Sequence, residues 1–274
     1  MQAPLDLEAY CERIGLDALP VATADGLATL QRAQRLTIPF ENLDIPLGRG
    51  VRLAPDAVFA KLVTARRGGY CFEQNQLLLR ALLALGFEAR PLLARVWLMA
   101  DGVPGLTHTL NLVTIGGRQW IADAGFGGGY TPVMPFEADR THRTDDNALH
   151  RLRRDADHGW MLERDGGGDH GWQPQYSFFP TTVHPSDLIL SNHWTATAPD
   201  SRFTNWRIAG IVLPGGRATL MDRALSLTDA SGSLERVLDT PTGYRAALAE
   251  TFGIRLSIEE VGSLGLFDGE GAAP

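Results

Sequence analysis

The sequence predicts an α+β protein, and three observations predict it. Apolar residues recur at three- and four-residue spacings through about the first 85 residues, the period of a helix with one buried face. From Glu88 the spacing changes to two, the period of a half-buried strand. Helical and strand-like stretches are segregated along the chain instead of alternating, which argues against a doubly wound α/β sheet.

Taken in order, residues 5–14 and 26–36 read as amphipathic helices. A third helix begins after Pro55, where the missing N–H would have had no helical partner anyway. A fourth starts at or just after Cys71 and runs through a leucine-rich stretch to Gly86, a C-cap residue. Residues 90–99, 107–115 and 118–124 read as strands, separated by glycine and proline signals. Residues 137–172 turn polar and read as long hairpins or excursions at the edge of a sheet. Further short strands and a helix near 242–252 complete the chain.

Composition narrows the function. The 274 residues are 44% hydrophobic and 21% charged, which excludes disorder, collagen and coiled coil. Net charge is −7, and the 25 basic residues are scattered arginines apart from Lys61. A nucleic-acid binder needs clustered Lys and Arg to neutralise phosphates, so that class is excluded. No stretch reaches the 18 or so apolar residues of a membrane span, and the N-terminus lacks a signal-peptide pattern. Two cysteines, Cys11 and Cys71, are too few for a disulfide framework. The chain is expected to be soluble and cytoplasmic.

The segment Arg66-Arg67-Gly68-Gly69-Tyr70-Cys71-Phe72-Glu73-Gln74-Asn75 carries the chemistry. Two glycines free the backbone, and a thiol at the following helix start meets unpaired N–H groups and the positive end of the helix dipole. Both favour the thiolate and are expected to lower the thiol pKa. The same N–H groups suit an oxyanion formed when a thioester is attacked. A buried structural cysteine is the alternative reading, and it is the one adopted for Cys11, which lies in an ordinary amphipathic helix.

A cysteine nucleophile needs a base, and the base needs an orienting group. Of seven histidines, His142, His150, His158 and His170 fall in the polar stretch and read as solvated surface residues without metal-ligand spacing. No metal is expected. His108 lies in a strand that is followed by Gly116-Gly117, a two-residue hairpin turn, and the returning strand carries Asp123. With those glycines as the loop, paired positions sum to 233, and His108 and Asp123 become diagonal neighbours on one face. Such neighbours lie roughly 7–8 Å apart at the backbone, within side-chain reach. A one-residue change of loop would put them on opposite faces. A Cys71–His108–Asp123 triad follows, conditional on that register, with Asp123 holding the His108 tautomer and His108 deprotonating Cys71. A purely structural His–Asp pair is the competing reading.

These residues resemble the arylamine N-acetyltransferase family. Residues 67–75 look like its nucleophile motif, His108 with Leu110 and Leu112 like its histidine strand, and residues 120–127 like its aspartate motif. Residues 38–45 are similar to its N-terminal signature, and residues 192–203 to its asparagine and Pro-x-Ser-x-Phe segment. The resemblance implies a helical bundle (1–86), an antiparallel β-barrel-like domain (87–195) and a C-terminal α/β lid (196–274), on a cysteine-protease and transglutaminase-like core. It implies ping-pong transfer of acetyl from acetyl-CoA, through a Cys71 thioester, to arylamines, arylhydrazines or N-hydroxyarylamines. Phe40, Val96 and Phe126 would wall the acceptor pocket. Thr109, Gly127, Gly128 and Phe203 would face CoA. Arg67 and Glu41 look like a structural ion pair. A cysteine-triad amide synthase or thiol hydrolase with another acyl donor is the alternative. A non-catalytic binding module would need none of the three triad residues.

Overall fold

The structure, a computed structural model, describes residues 5–127 and 129–267. Helix α1 (Leu7–Ile14) starts where the Asp6 carboxylate accepts from Ala9 N at 3.0 Å, and it ends at left-handed Gly15. Helix α2 (Ala24–Thr37) is capped by Thr23 and stops before Ile38, which is extended because the α conformation is disfavoured directly before Pro39. Strand β1 is the short Phe40–Glu41. Helix α3 (Pro55–Phe59) continues into a π-type turn at Ala60–Thr64, and α4 spans Cys71–Ala84. Tyr10, Leu27, Leu30, Leu62, Leu77 and Leu78 are fully buried where these helices meet. Each such side chain contributes about 1.5–3 kcal/mol by leaving water.

Strands β2 (Glu88–Val96), β3 (Leu106–Ile115), β4 (Arg118–Ala122) and β5 (Met134–Pro135) follow. After them come β6 (His142–Arg143), β7 (Leu149–Asp155), β8 (Gly159–Asp165) and β9 (Gln173–Phe178). All eight form one antiparallel sheet in the order β5-β4-β3-β2-β9-β8-β7-β6. It curls round a single apolar cluster, so that Met134 near one end and Leu152 near the other share a core with Leu92, Leu110, Ile121 and Leu162. The polar stretch is therefore the edge of this barrel-like sheet, as its patterning suggests. The hairpin register is the expected one, from Ile115 opposite Arg118 to Asn111 opposite Ala122. β4 ends at Ala122, earlier than the sequence suggests, because Asp123 turns out of the ladder. β2 also stops early, after a register shift at Ala94/Arg95.

Helices α5 (Pro185–Thr197) and α6 (Arg202–Asn205) lead into β10 (Ile208–Leu213), β11 (Gly216–Met221), β12 (Ala224–Asp229) and β13 (Gly232–Val237). Helices α7 (Pro241–Phe252) and α8 (Ile258–Gly262) then cover this sheet through Tyr244, Leu248, Phe252 and Val261. Nothing in the residue spacing predicts α5, whose Ile189 and Leu190 are exposed. β1 joins the edge of the second sheet, with Phe40 opposite Gly210, and Phe40 also bridges to Gly69. One short strand thus ties the C-terminal sheet to the loop before Cys71. Among the described residues no helix is long and apolar enough to cross a membrane.

Candidate active site

Cys71 is the first residue of α4, as expected. The turn before it is held from two sides. The Glu73 carboxylate accepts from Tyr70 N at 3.1 Å, and a side chain at Gly68 would lie 2.4 Å from the Pro39 carbonyl. Glu73 is itself held by Lys61 Nζ at 2.9 Å. Lys61 reaches Asp44 at 2.9 Å, and Arg67 binds Glu41 at 2.7 Å and Asp44 at 3.1 Å. The Arg67–Glu41 ion pair is thus present, inside a larger buried charge network. Burial alone would lower the Lys61 pKa, but the charges of Glu73, Glu41 and Asp44 raise it, so the ammonium stays charged. This cluster fixes the loop that presents the thiol.

His108 and Asp123 meet as the register requires. His108 Nε2 lies 2.7 Å from Asp123 Oδ2, and both side chains are buried. Asp123 is fastened by Asn75 Nδ2, which donates to Oδ1 at 2.9 Å, and by Gly125 N at 2.8 Å. Its backbone N donates to Gln31 Oε1 at 2.6 Å. Burial pushes the Asp123 carboxyl up, but the facing His108 and these donors outweigh it and hold the group below the ordinary carboxylate range. Gly125 is needed for this approach. A Cβ there would sit 2.7 Å from Cys71 Cα and 2.6 Å from Asn75 Nδ2.

The Cys71 thiol lies against the strand and donates to the Thr107 carbonyl at 3.7 Å. Its pKa is raised, contrary to the expectation from the helix start. Burial pushes it up and the Asp123 charge adds to that, while the N–H groups of Thr109 and Phe72 pull in the other direction. The dipole of a helix terminus does not overcome complete removal from water. An isolated thiolate is therefore disfavoured here, and deprotonation needs a partner that becomes positive.

The expected pocket residues fall on two sides of the Cys71, His108 and Asp123 group. Phe40 packs with Tyr70, Cys71, Phe72 and Leu93, and its ring lies 6.0 Å from that of Phe203. Phe203 is edge-on to Tyr70 at 5.4 Å, and its backbone is set by Ser201, whose Oγ accepts from Phe203 N at 3.2 Å. Phe126 stands on the other side, 5.3 Å from the His108 ring, and Val96 packs against the same barrel core. The Thr109 hydroxyl is committed to the Leu92 carbonyl at 2.8 Å, so only its backbone is turned to the sulfur. Gly127 packs under Phe40, where a Cβ would lie 3.1 Å from the ring. Gly128 lies outside the described residues.

Several residues of the site carry no isolated sequence signal. Asn75 donates to the Thr109 carbonyl at 2.6 Å and accepts from Ala124 N at 2.9 Å, besides holding Asp123. Arg35 ties down the Ala124, Phe126 and Gly129 carbonyls. Tyr176 lies 5.1 Å from the His108 ring and 5.2 Å from Phe126, closing the site from β9. Only Asn75 left a trace, in the run Glu73-Gln74-Asn75-Gln76, four polar residues near the start of a leucine-rich helix. Cys11 is buried in the helical core and has no such setting. His150, read as a surface residue, is 2% exposed, because β7 turns it into the barrel.

A family model described as N-acetyltransferase matches residues 23–261. The arylamine N-acetyltransferase / N-hydroxyarylamine O-acetyltransferase of Salmonella typhimurium is 38% identical over 253 residues, covering 90% of this chain and 88% of that protein. The arylamine N-acetyltransferase of Mycolicibacterium smegmatis is 35% identical over 260 residues, covering 92% and 93%. The solved arylamine N-acetyltransferase of Salmonella typhimurium aligns with a TM-score of 0.89 at 32% identity, over 97% of this chain and 100% of that one. The Mycobacterium marinum arylamine N-acetyltransferase in complex with CoA aligns with a TM-score of 0.88 at 32% identity, over 94% and 98%. Fold and relatives together define an acyltransferase. The chain belongs to the arylamine N-acetyltransferase family.

Proposed function

We propose that this chain moves acetyl from acetyl-CoA to arylamines, arylhydrazines or N-hydroxyarylamines through a thioester on Cys71, with His108 and Asp123 as its partners. The observation that carries the reading is the buried His108–Asp123 contact of 2.7 Å beside a cysteine at a helix start. Asp123 occupies Nε2, which leaves Nδ1 of His108 for the thiol proton. Proton transfer gives a thiolate–imidazolium pair, with the positive charge that the buried sulfur needs. The thiolate adds to the acetyl carbonyl of acetyl-CoA. The N–H groups of Phe72 and Thr109 already point to the sulfur and so lie beside the developing oxyanion. Collapse breaks the carbon–sulfur bond to CoA, whose thiolate takes the proton from His108. The amine then attacks acetyl-Cys71, His108 accepts its proton, and the returning Cys71 thiolate leaves.

An uncharged arylamine suits this site, since a general base is available and the neighbouring walls, Phe40 and Phe126, are apolar. Phe40, Val96 and Phe126 are assigned to the acceptor, and the Thr109 backbone, Gly127, Gly128 and Phe203 to acetyl-CoA. The Mycobacterium marinum relative bound to CoA supports a CoA co-substrate. Three units, 1–86, 87–195 and 196–274, are taken to enclose the cleft. Intact-mass measurement after brief exposure to acetyl-CoA without amine tests the scheme. One acetyl adduct is expected, mapped to Cys71, absent in Cys71→Ser and discharged by an arylamine. Absence of the adduct would refute the thioester and favour an amide synthase or hydrolase with another donor.

A further inference from the structure

The loop that follows Asp123 is held from outside itself. From Ala124 to Thr131 no backbone–backbone hydrogen bond is formed among the described residues. Buried main-chain groups are nearly always paired, and here the side chains of a helix pair them. Arg35 donates from Nη1 to the Ala124 carbonyl at 3.1 Å, and from Nη2 to the Phe126 and Gly129 carbonyls at 2.8 and 2.7 Å. Gln31, four residues earlier and so on the same face of α2, donates to the Thr131 carbonyl at 2.7 Å. Two side chains of one helix thus meet four carbonyls of the loop.

Their loss would not fall evenly. Asp123 and Ala124 have other fastenings, since Gln31 Oε1 accepts from Asp123 N and Asn75 bonds both the Asp123 carboxylate and Ala124 N. The Phe126 and Gly129 carbonyls have Arg35 alone among the described residues. Arg35 is also a costly brace. It is buried, its hydrogen bonds among the described residues all go to neutral carbonyls, and its Nε has no partner there. Burial lowers its pKa, although the charge of Asp123 works the other way. A buried charge without a bonded counter-ion opposes stability. What the guanidinium supplies is reach, a planar fork that spans three carbonyls at once. Between those anchors stand Phe126, 5.3 Å from the His108 ring, and Gly127, where a Cβ would lie 3.1 Å from the Phe40 ring.

We propose that Arg35 is a positioning residue for the acceptor. By pinning the Phe126 and Gly129 carbonyls it fixes the Phe126 wall and the packing of Gly127 under Phe40, and so sets the affinity for the aromatic amine without touching it. This role rests on the reading of Phe40 and Phe126 as acceptor walls.

The test is a double-mutant cycle of Arg35→Gln and Phe126→Ala, read with 4-methoxyaniline at saturating acetyl-CoA. In Arg35→Gln, kcat/KM for the amine is expected to fall about tenfold, chiefly through KM, the worth of one charge-assisted hydrogen bond. Arg35→Lys keeps the charge but cannot span three carbonyls, so it should restore part of the loss, and it is the milder variant for the same cycle. With Phe126 already alanine, the further loss from Arg35→Gln should shrink to within about twofold, because two residues acting through one wall are not additive. Iodoacetamide alkylation of Cys71 at neutral pH should stay within about twofold of wild type, since Asp123 keeps its other fastenings. Hydrogen exchange needs no turnover, and in Arg35→Lys it should speed up about tenfold over residues 124–131 while 71–84 stay unchanged. An unchanged KM, additive losses, alkylation that falls in step with turnover, or exchange that rises equally in both segments would each overturn the assignment. If acetyl-Cys71 forms and the KM does not move, the role of Arg35 fails and the thioester scheme stands. If acetyl-Cys71 never forms, both fail together.

Discussion

Replacing Asn75 with alanine removes three buried hydrogen bonds at once. Two are to neutral backbone groups, the Thr109 carbonyl at 2.6 Å and Ala124 N at 2.9 Å, and one is to the Asp123 carboxylate at 2.9 Å. At about 0.5–1.5 kcal/mol for each neutral bond and about 1.5–3 for the charged one, the loss is about 2.5–6 kcal/mol. Alanine cannot reach any of the three partners, and no water path is offered at a side chain 1% exposed. Under the proposed mechanism the damage spreads to function, because Asn75 links the helix that starts at Cys71 to the Asp123 carboxylate facing His108. Urea unfolding followed by tryptophan fluorescence measures the stability, and acetyl-Cys71 formation by mass measures the site. A loss below about 1 kcal/mol would refute the reasoning, since it would mean that the three bonds are replaced or worth nothing in net terms.

Three further outcomes follow from the same geometry. Alkylation of Cys71 by iodoacetamide is expected to be fast near pH 7 in the wild type, and in His108→Gln to stay slow and climb only in strongly alkaline solution, because the buried thiol is raised; equal rates would show that His108 does not take the proton. Gly125→Ala puts a methyl group 2.7 Å from Cys71 Cα and should cost about 1–3 kcal/mol together with most Cys71 acetylation, so a stable and active variant would contradict the close approach. Asp123 and Asp44 have folded pKa values below their unfolded ones, so they stabilise the fold above the unfolded value near 4 and that stability is lost as pH falls further. Glu73, raised chiefly by burial, works in the opposite direction and offsets part of this. Urea midpoints at pH 7, 5, 4 and 3 should therefore fall mainly below about pH 4, and a flat series would exclude both aspartates as stabilising charges.

Much of the site was legible because its parts are local. Gly116-Gly117 is a tight turn that sets the register, and the register puts Asp123 on the face of His108. Gly68-Gly69 and the polar opening of α4 likewise mark Cys71 as a helix start. What local chemistry did not contain was the surroundings of each group. The β7 strand looked like solvated surface because five of its seven residues are Arg, His or Asp beside more of the same, yet the barrel turns His150 inward opposite Arg164. Helix α5 was invisible because it is held through a polar contact, the Tyr70 hydroxyl donating to Asn192 Oδ1, while Ile189 and Leu190 stay exposed, so no apolar period shows.

The order of the chemistry along the chain is therefore written in residue types, and its energetics are not. Glycine conformations, strand alternation and helix starts depend on neighbours a few residues away, and these placed Cys71, His108 and Asp123. The thiol pKa, the ring of Tyr176 against His108, and the Asn75 clasp depend on segments tens of residues apart packing out of water. Desolvation is a property of the whole packed volume, so only the folded molecule decided that the Cys71 thiol is held above its ordinary pKa.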